Sequence, residues 1–135
     1  MKINYAIEED YDYIVKRDKH ILEGLVKRKI TEKEIFIFRN EQNQYIGWMR
    51  YNYFWDNTPF MNMIWIDEPY RSQGIGKEAV LYWEALMKEK GFGLVMTSTL
   101  ANEAAQHFYR KLGYKDAGCL LLENEPLEII LTKTI

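Results

Sequence analysis

The stretch YRSQGIGKEA, residues 70–79, lies just past the middle of the 135-residue chain and fits three short patterns. Residues 74–79 match Gly-x-Gly-x-x-Ala, a form of the dinucleotide fingerprint, and residues 76–77 match the end of a phosphate-binding P-loop. Residues 71–76 spell Arg-x-x-Gly-x-Gly. These patterns imply different ligands, so the rest of the sequence has to decide among them.

Two of the three patterns fail on spacing. A P-loop ending at residues 76–77 would need glycine at Arg71 and a hydroxyl residue at Glu78. A dinucleotide loop follows its strand almost directly, and an acidic residue comes about 20 positions later. Here residues 67–73 separate strand and glycine, and no carboxylate occurs in residues 95–99. The dinucleotide alternative is therefore disfavoured but stays open.

The third pattern needs a strand, a loop that opens with Arg and carries two glycines, and then an uninterrupted amphipathic helix. Residues 60–66 (FMNMIWI) are apolar on both faces, which is typical of a central strand in a covered sheet. Gly74 and Gly76 lack a Cβ and can take positive φ, so successive N–H groups can point inward at the positive end of the helix dipole. Such a loop binds a pyrophosphate. Arg71 and Lys77 add local positive charge.

Hydrophobic periodicity along the whole chain predicts an α/β fold in a single domain, residues 1–135. The predicted strands are residues 2–7, 34–38, 44–55, 60–66, 94–97, 119–122 and 127–132. The predicted helices begin at Tyr11 (one helix, or two joined near Asp18), after Gly76 and at Asn102, and the last two end at Gly91 and Gly113. The order β α β β β α β α β β indicates a layered sheet of mixed direction.

Composition excludes several classes of function. The net charge is −2 and the sequence pI about 5.7, so the chain offers no basic field for a nucleic acid. It has no run of 18 apolar residues and no apolar N-terminal segment, which predicts a cytoplasmic protein without a membrane partner. The single cysteine, Cys119, cannot form an internal disulfide, has no metal-ligand spacing around it and is predicted to be a buried thiol. We expect no metal.

The third pattern, together with a second motif, resembles the GNAT superfamily of acetyl-CoA-dependent N-acyltransferases. RSQGIG (residues 71–76) is similar to the family's acetyl-CoA loop, and MIWIDEPY (residues 63–70) is similar to its fourth strand and the exit from it. NEAAQHFYRKLGY (residues 102–114) is similar to its second signature, in which Asn opens a helix and an aromatic-Tyr pair leads to a Leu-Gly-aromatic ending. The resemblance covers essentially the whole chain. It implies a mixed, mostly antiparallel central sheet of roughly six to seven strands flanked by helices.

The resemblance also implies an activity and a cosubstrate. An enzyme of this kind moves the acetyl group of acetyl-CoA to a primary amine, carried by a small molecule or a peptide, by direct attack in a ternary complex. The backbone of Ile64 and Ile66 would pair with the pantetheine arm, and backbone N–H groups there would stabilise the oxyanion. The residues expected to hold the pyrophosphate are Arg71, Gln73, Gly74, Ile75, Gly76 and Lys77.

Asn102 and Tyr109 are seven positions apart, or two helical turns, and are therefore predicted to share one helix face. By resemblance, Asn102 contacts the pantetheine arm and Tyr109 stands near the sulfur as the general acid. A phenol with a pKa near 10 can protonate an alkyl thiolate of similar basicity. The residues alone also allow Tyr109 to be a core aromatic residue and Asn102 a helix N-cap.

The general base is the weakest part of the predicted site. Some family members carry a Glu near the start of the fourth strand, but residues 60–62 hold no carboxylate. Proton removal is therefore expected to run through ordered water, or through Asp56 or Glu123. The missing base also keeps open a second class of function, a catalytically silent acyl-CoA-binding or regulatory domain.

The acceptor side is indicated only by aromatic residues. Tyr51, Tyr53 and Trp55 alternate onto one face of the predicted third strand, and aromatic faces suit a flat or cationic amine. The same residues could instead belong to the core or form a homodimer interface. The sequence does not identify the amine.

Overall fold

The computed structural model describes residues 1–135 and contains seven strands and four helices. The strands are β1 (Lys2–Tyr5), β2 (Ile35–Arg39), β3 (Tyr45–Phe54), β4 (Thr58–Ile66), β5 (Leu94–Leu100), β6 (Lys115–Leu120) and β7 (Glu128–Thr134). The helices are α1 (Tyr11–Arg17), α2 (Glu23–Thr31), α3 (Ile75–Glu89) and α4 (Ala105–Lys111).

The strands follow the order β1-β2-β3-β4-β5-β7-β6. The pairs β1·β2, β2·β3, β5·β7 and β6·β7 are antiparallel, whereas β4 and β5 run parallel, with Phe60 opposite Met96 and Met61 opposite Thr97. The predicted mixed, mostly antiparallel sheet is therefore confirmed, at the upper end of the predicted number of strands.

The chain forms two compact units. Unit 1 comprises Met1–Tyr51 and Met63–Ala79, and unit 2 comprises Asn52–Asn62 and Val80–Ile135. The prediction of a single domain over residues 1–135 is not tested by this division and stays a prediction.

Unit 1 is built around an apolar cluster. Its buried members are Ala6, Tyr13, Ile14, Val26, Ile35, Ile37 and Trp48. They come from α1, α2, β2 and β3, with Ala6 just after the end of β1. Burial of these apolar side chains stabilises the packing of α1 and α2 against the strands.

The first helical segment divides in two at a buried ion pair in unit 1. Asp18 ends α1 and is 4% exposed. It accepts hydrogen bonds from Arg50 Nε at 2.7 Å and from the backbone N–H of His20 at 3.1 Å. Burial raises the pKa of Asp18, but the hydrogen bond and charge of Arg50 lower it more strongly, so the carboxylate stays ionised. The predicted alternative of two helices that meet near Asp18 is confirmed.

Unit 2 packs α3 and α4 residues with β5 and β7. Its buried apolar residues include Val80, Trp83, Met87, Val95, Met96 and Leu131. Gly91 and Gly113 take φ of +99° and +97°, and each lies two residues after the last residue of its helix, α3 or α4. Both glycines therefore act as the predicted helix ends, because only glycine adopts this backbone conformation without strain.

Candidate active site

The loop between β4 and α3, in unit 1, has the backbone of an anion-binding turn. Ser72 and Gly74 take φ of +61° and +82°, and the N–H of Glu78 donates to the Gly74 carbonyl at 3.0 Å, which is the first helical hydrogen bond of α3. The N–H groups of residues 75–77 precede this bond and have no acceptor inside the helix. They point out of the N-terminus of α3, where the helix dipole favours negative charge.

Arg71 is anchored at the exit of β4. Its Nε donates to the carbonyl oxygen of Ile66 at 2.8 Å, and its guanidinium lies 4.6 Å from the ring centroid of Trp65. A guanidinium has five N–H donors in a fixed fork, so a side chain held through Nε presents its terminal nitrogens in a defined direction. Arg71 is therefore an ordered cation at the start of the loop.

Trp65 and Asp67 tie this strand exit to α1 within unit 1. Trp65 Nε1 donates to Asp67 Oδ1 at 3.2 Å, and the Tyr13 hydroxyl donates to Asp67 Oδ2 at 3.1 Å. Burial raises the pKa of Tyr13, and the neighbouring Asp67 carboxylate raises it further, so the phenol remains a donor. Trp65 also stacks on Trp48 of the apolar cluster, with ring centroids 5.8 Å apart. Arg71 therefore stacks on a tryptophan that itself packs against the apolar cluster.

Tyr109 lies in α4, in unit 2, and is 6% exposed. On β5, Thr97 Oγ1 donates to the carbonyl oxygen of Met61 on β4 at 2.9 Å. Burial raises the pKa of Tyr109 to about 12, while the Thr97 hydroxyl lowers it and the negative charge of Glu103 raises it. The phenol therefore holds its proton at neutral pH.

Comparison of the sequence with known families gives one family match. Residues 3–114 match the model of the acetyltransferase (GNAT) family, which is most of the chain. The chain belongs to the GNAT acetyltransferase family. The predicted superfamily and the predicted acyltransferase class are therefore confirmed, and both motifs that carried the prediction fall within the matched residues.

Two curated proteins are similar in sequence to this GNAT chain. The uncharacterized protein YyaT of Bacillus subtilis is 35% identical over 79 residues, which are 58% of this chain and 52% of YyaT. YjaB of Escherichia coli, a peptidyl-lysine N-acetyltransferase, is 26% identical over 113 residues, which are 84% of this chain and 71% of YjaB. The matched region thus spans about half the length of YyaT and 71% of the length of YjaB.

Solved structures give the same fold. Ard1 from Thermoplasma volcanium superimposes with a TM-score of 0.84 at 12% identity and covers 99% of this chain and 97% of its own, a likeness that shows the fold alone. A protein from Bacillus anthracis described as an acetyltransferase, in complex with acetyl coenzyme A, has a TM-score of 0.68 at 27% identity and covers 75% of this chain and 61% of its own.

The structure corrects one detail of the predicted GNAT loop. Gly74 has positive φ, as expected, but Gly76 lies in the first turn of α3 and is not among the residues with positive φ. Ser72 supplies the second left-handed residue instead. Lys77 and Gln73 are exposed, and Gln73 Nε2 reaches the Pro69 carbonyl at 3.4 Å. The loop therefore depends on Ser72 and Gly74 for its turn, and Gly76 begins the helix.

The backbone of β4 next to this loop is placed by β3, within unit 1. Ile64 and Ile66 are half-buried. A Cβ built on Gly47 would collide with the Trp65 carbonyl oxygen and lie 3.2 Å from the Ile66 Cα, so β3 and β4 approach here more closely than any other residue permits. Gly47 thus fixes the backbone at the strand end where Ile64 and Ile66 were predicted to act.

The prediction that Asn102 and Tyr109 share a helix face is wrong. Helix α4 begins at Ala105 rather than at Asn102, so Asn102 lies exposed in the turn before the helix, and the argument from two helical turns does not apply to it. The alternative that Asn102 is the N-cap is also wrong, because Ala104 holds that position. Tyr109, by contrast, is placed on α4 as predicted.

Only part of the predicted aromatic face lies on β3. β3 ends at Phe54, and Trp55 and Asp56 take φ of +57° and +61°, so Trp55 begins a turn and does not extend the stripe. Trp55 is 80% exposed. Tyr53 is half-buried, with its ring 5.5 Å from that of Phe92.

Tyr51, the first member of the predicted stripe, belongs to unit 1 and is buried. Its hydroxyl donates to the Lys33 carbonyl at 3.2 Å and its ring stacks on Phe36. Its side chain is therefore a core residue, as the alternative interpretation held.

The start of β4, where a general base would be expected, carries no carboxylate side chain. Asn62 is exposed there, and its side-chain amide donates to Asn52 Oδ1 at 2.8 Å. Asp56 and Glu123, the two proposed substitutes, lie exposed in the turns that follow β3 and β6. No group of three or more His, Cys, Asp or Glu side chains could hold a metal ion. No helix is long and apolar enough to cross a membrane.

The prediction that Cys119 is a buried thiol is wrong. Cys119 is exposed, because all six residues of β6 are exposed on this last strand of the sheet. β6 is the last strand in the order of the sheet, and an edge strand has a neighbour on one side only.

Two residues near the site were not assigned by the sequence. Thr97 Oγ1 donates to Met61 on β4 and lowers the pKa of Tyr109, and Trp65 stacks on Arg71. A buried threonine in a strand is common, so no sequence signal separates a hydrogen-bonding Thr97 from a packing one. Trp65 carried a weak signal, since an aromatic residue six positions before an Arg at a strand exit can stack on it.

Proposed function

We propose that this GNAT chain is an N-acetyltransferase that moves the acetyl group of acetyl-CoA to a primary amine by direct attack in a ternary complex. The observation that carries the proposal is the loop before α3, whose left-handed Ser72 and Gly74 leave the N–H groups of residues 75–77 unpaired at a helix N-terminus. The Bacillus anthracis relative, at 27% identity, is in complex with acetyl coenzyme A.

The loop would hold the pyrophosphate of acetyl-CoA. The backbone donors of Gln73 to Lys77 match phosphate oxygens, and Arg71 and Lys77 supply the positive charge that a chain of net charge −2 otherwise lacks. Arg71 is anchored through Nε, so its terminal nitrogens act as a fixed fork. We assign no metal to this site.

The backbone of Ile64 and Ile66 would align the pantetheine arm, and N–H groups of β4 would donate to the oxyanion that forms at the thioester carbonyl. The close approach at Gly47 supports this role, because it holds the β4 backbone at Trp65 and Ile66 in one position. Donors that are fixed before the reaction stabilise developing charge without reorganisation. Asn102, exposed in the turn before α4, remains a proposed contact of the pantetheine arm.

Tyr109 would be the general acid. When the amine attacks, the carbon–sulfur bond breaks and the sulfur needs a proton, which the Tyr109 hydroxyl can give. With a pKa of about 12, Tyr109 is protonated throughout the physiological range, as an acid must be. It is also a weaker acid than an ordinary thiol, so the transfer requires an interaction that stabilises the phenolate.

The acceptor is proposed to be a primary amine on a small molecule or a peptide. The relative YjaB is a peptidyl-lysine N-acetyltransferase, which makes a lysine side chain a reasonable first acceptor to test. Tyr53 and the 80% exposed Trp55 are the members of the aromatic set that a cationic amine could reach, since Tyr51 is buried. Because residues 60–62 hold no carboxylate, we propose that the amine loses its proton to water.

The remaining predictions belong to the same proposal. One domain, residues 1–135, would act in the cytoplasm without nucleic acid or a membrane as partner, and the family match over residues 3–114 supports one catalytic domain. A homodimer through exposed aromatic residues stays a prediction.

The test begins with acetyl-CoA binding. Thermal unfolding is measured with acetyl-CoA and, separately, with NAD, because ligand at 100 times its dissociation constant adds about 2.7 kcal/mol to the free energy of unfolding. Stabilisation by acetyl-CoA and not by NAD is expected. The reverse result would establish the dinucleotide alternative.

Activity is then measured as release of the CoA thiol with a panel of amines that includes lysine peptides, polyamines and amino acids. Thiol release with at least one amine is expected. Binding of acetyl-CoA without thiol release from any amine would favour the second candidate, a silent acyl-CoA-binding domain. The observation behind that candidate is the missing carboxylate at residues 60–62.

A further inference from the structure

Asp67, the first residue after β4, joins two aromatic side chains of unit 1. Its carboxylate oxygens accept from different donors, Oδ1 from Trp65 Nε1 at 3.2 Å and Oδ2 from the Tyr13 hydroxyl at 3.1 Å. Its backbone is held as well, because the Asp67 N–H donates to the Ile46 carbonyl oxygen at 2.8 Å and the Asp67 carbonyl accepts from the N–H of Tyr70 at 2.9 Å. The carboxylate therefore has a defined position at the strand exit.

Tyr13 is the buried end of this network. It is 6% exposed, and its ring stacks on that of Tyr45 with centroids 4.1 Å apart. Burial and the Asp67 carboxylate raise the pKa of Tyr13, so its hydroxyl stays a donor at neutral pH. A hydrogen bond that ends on a carboxylate is stronger than one between neutral groups. The buried face of α1 therefore orients the Asp67 side chain.

Trp65 is the outer end of the network and is 42% exposed. An exposed side chain can adopt other rotamers unless a specific contact prevents it. An indole N–H can only donate, and it lies in the plane of the ring, so the bond to Asp67 fixes how the Trp65 ring is turned. The Arg71 guanidinium stacks on this ring, 4.6 Å from its centroid. The direction of the indole therefore affects where the guanidinium lies.

Arg71 forms no ion pair with Asp67, although the two residues are four positions apart. The cation near the Asp67 carboxylate is Arg17, whose Nε lies 4.0 Å from Oδ1. Arg71 donates through Nε to the Ile66 carbonyl oxygen at 2.8 Å, and its two terminal nitrogens have no acceptor within the protein. Those nitrogens are free to bind an anionic ligand.

We propose that Asp67 is a positioning residue for acetyl-CoA binding: with Tyr13 it fixes the ring of Trp65, and through that ring it directs the terminal nitrogens of Arg71 towards the pyrophosphate. This inference rests on the proposed function. Asp67 acts through its two hydrogen bonds and not through its charge, which alone would repel the phosphates. A substitution that removes the hydrogen bonds should therefore weaken binding, whereas one that removes only the charge should not.

Calorimetric titration with acetyl-CoA compares Asp67→Asn with Asp67→Ala. The Asn amide can accept from Trp65 and donate to the Tyr13 oxygen, so Asp67→Asn should bind within about twofold of the wild type or more tightly. Asp67→Ala loses both bonds and should bind about two- to fivefold more weakly than Asp67→Asn, with kcat at saturation unchanged in both. The matched control is Asp12→Ala, at an exposed carboxylate in the first turn of α1, which should leave the dissociation constant unchanged.

A double-mutant cycle asks whether Asp67 acts through Arg71. In an Arg71→Ala background, Asp67→Ala is expected to cause no further loss of affinity, since no guanidinium remains to be directed. If Asp67→Ala fails to fold, Trp65→Phe replaces it, because phenylalanine keeps a ring but has no N–H. The proposal is overturned if Asp67→Ala binds as tightly as Asp67→Asn, if the losses in the cycle are additive, or if kcat falls as much as the affinity.

The same titrations separate failure of this inference from failure of the proposed function. If the wild type binds no acetyl-CoA, the proposed function is wrong and the role of Asp67 is wrong with it. If Arg71→Ala binds acetyl-CoA as tightly as the wild type, the contact assigned to Arg71 is wrong. If Arg71→Ala binds weakly while Asp67→Ala and Asp67→Asn bind equally well, the proposed function stands and the role of Asp67 is wrong.

Discussion

The loop at residues 71–77 and the surroundings of Tyr109 carry their proposed chemistry in different ways. The loop presents backbone N–H groups on an exposed turn, and its conformation is set by Ser72 and Gly74. Tyr109 presents one side-chain hydroxyl, 6% exposed, whose acidity is set by burial and by Thr97. In the proposed function, the loop therefore contributes to the affinity for acetyl-CoA, and Tyr109 contributes to the rate of the chemical step.

This difference predicts that changes in the two regions separate in kinetic measurements. A loop variant should raise the dissociation constant of acetyl-CoA and leave kcat at saturation nearly unchanged. A variant at Tyr109 should do the reverse, because the phenol is needed only when the sulfur departs. Any variant that moves both quantities equally would contradict the division.

The largest effect is expected for Tyr109→Phe. Removal of a general acid costs roughly 10²- to 10⁴-fold in rate, so kcat should fall by at least about 100-fold while the acetyl-CoA dissociation constant changes less than twofold. The measurements are thiol release at saturating acetyl-CoA and calorimetric titration of acetyl-CoA. Phenylalanine keeps the aromatic ring, whose centroid lies 5.6 Å from that of Tyr114, so the substitution removes only the hydroxyl group.

The two regions also differ in how well the sequence predicted them. The loop is a pattern of residue types that dictates backbone conformation, so Gly74 and Arg71 could be named from sequence. The sequence could not predict that Ser72, rather than Gly76, is the second residue with positive φ. Serine rarely takes positive φ, and nothing in the neighbouring residues requires it.

Around Tyr109 the sequence predicted the residue but not its environment. The family motif placed Tyr109 on a helix, yet the first turn of that helix was assigned three residues too early, which misplaced Asn102. Helix boundaries depend on tertiary contacts that local patterns do not contain. The pairing of Thr97 with Met61 depends on strand register, which no local pattern fixes, and the exposure of Cys119 depends on β6 being the last strand.

The next largest effect is a loss of stability at alkaline pH. The unfolded phenol ionises near pH 10 and the folded Tyr109 at about 12, so between these values the unfolded state binds fewer protons and stability falls as pH rises. Burial also raises the pKa of Tyr13 and Tyr114, which adds to the fall. Two pKa units correspond to roughly 2 to 3 kcal/mol for Tyr109 alone.

Urea unfolding at pH 9 and pH 11.5 checks this expectation. Tyr109→Phe should lose about 2 kcal/mol less than the wild type between the two values, since phenylalanine does not ionise. Equal losses in both proteins would show that Tyr109 ionises in the folded state as easily as in the unfolded one. The buried acid assigned to it would then be untenable.

A smaller effect is expected for Gly74→Ala in the loop. An L-residue at φ of +82° is strained by about 1 to 2 kcal/mol, so the loop should bind acetyl-CoA roughly 5- to 30-fold more weakly at an unchanged kcat. The control is Gly24→Ala in α2, where an added Cβ meets no atom within 4 Å and should slightly stabilise the helix. A fall in kcat in Gly74→Ala without weaker binding would assign the loop to the chemical step.

The smallest effect is expected for Arg71→Lys, and it tests whether geometry or charge matters in the loop. Lysine keeps the charge but loses the bond from Nε to the Ile66 carbonyl and the stacking on Trp65. A cation–π contact at an exposed site is worth about 0.5 to 1 kcal/mol, so the acetyl-CoA dissociation constant should rise about two- to fivefold with kcat unchanged. Arg28→Lys, on the exposed side of α2, should change neither quantity. If Arg71→Lys binds acetyl-CoA as tightly as the wild type, the ordered guanidinium contributes only its charge, and the loop's affinity comes from the backbone donors of residues 75–77.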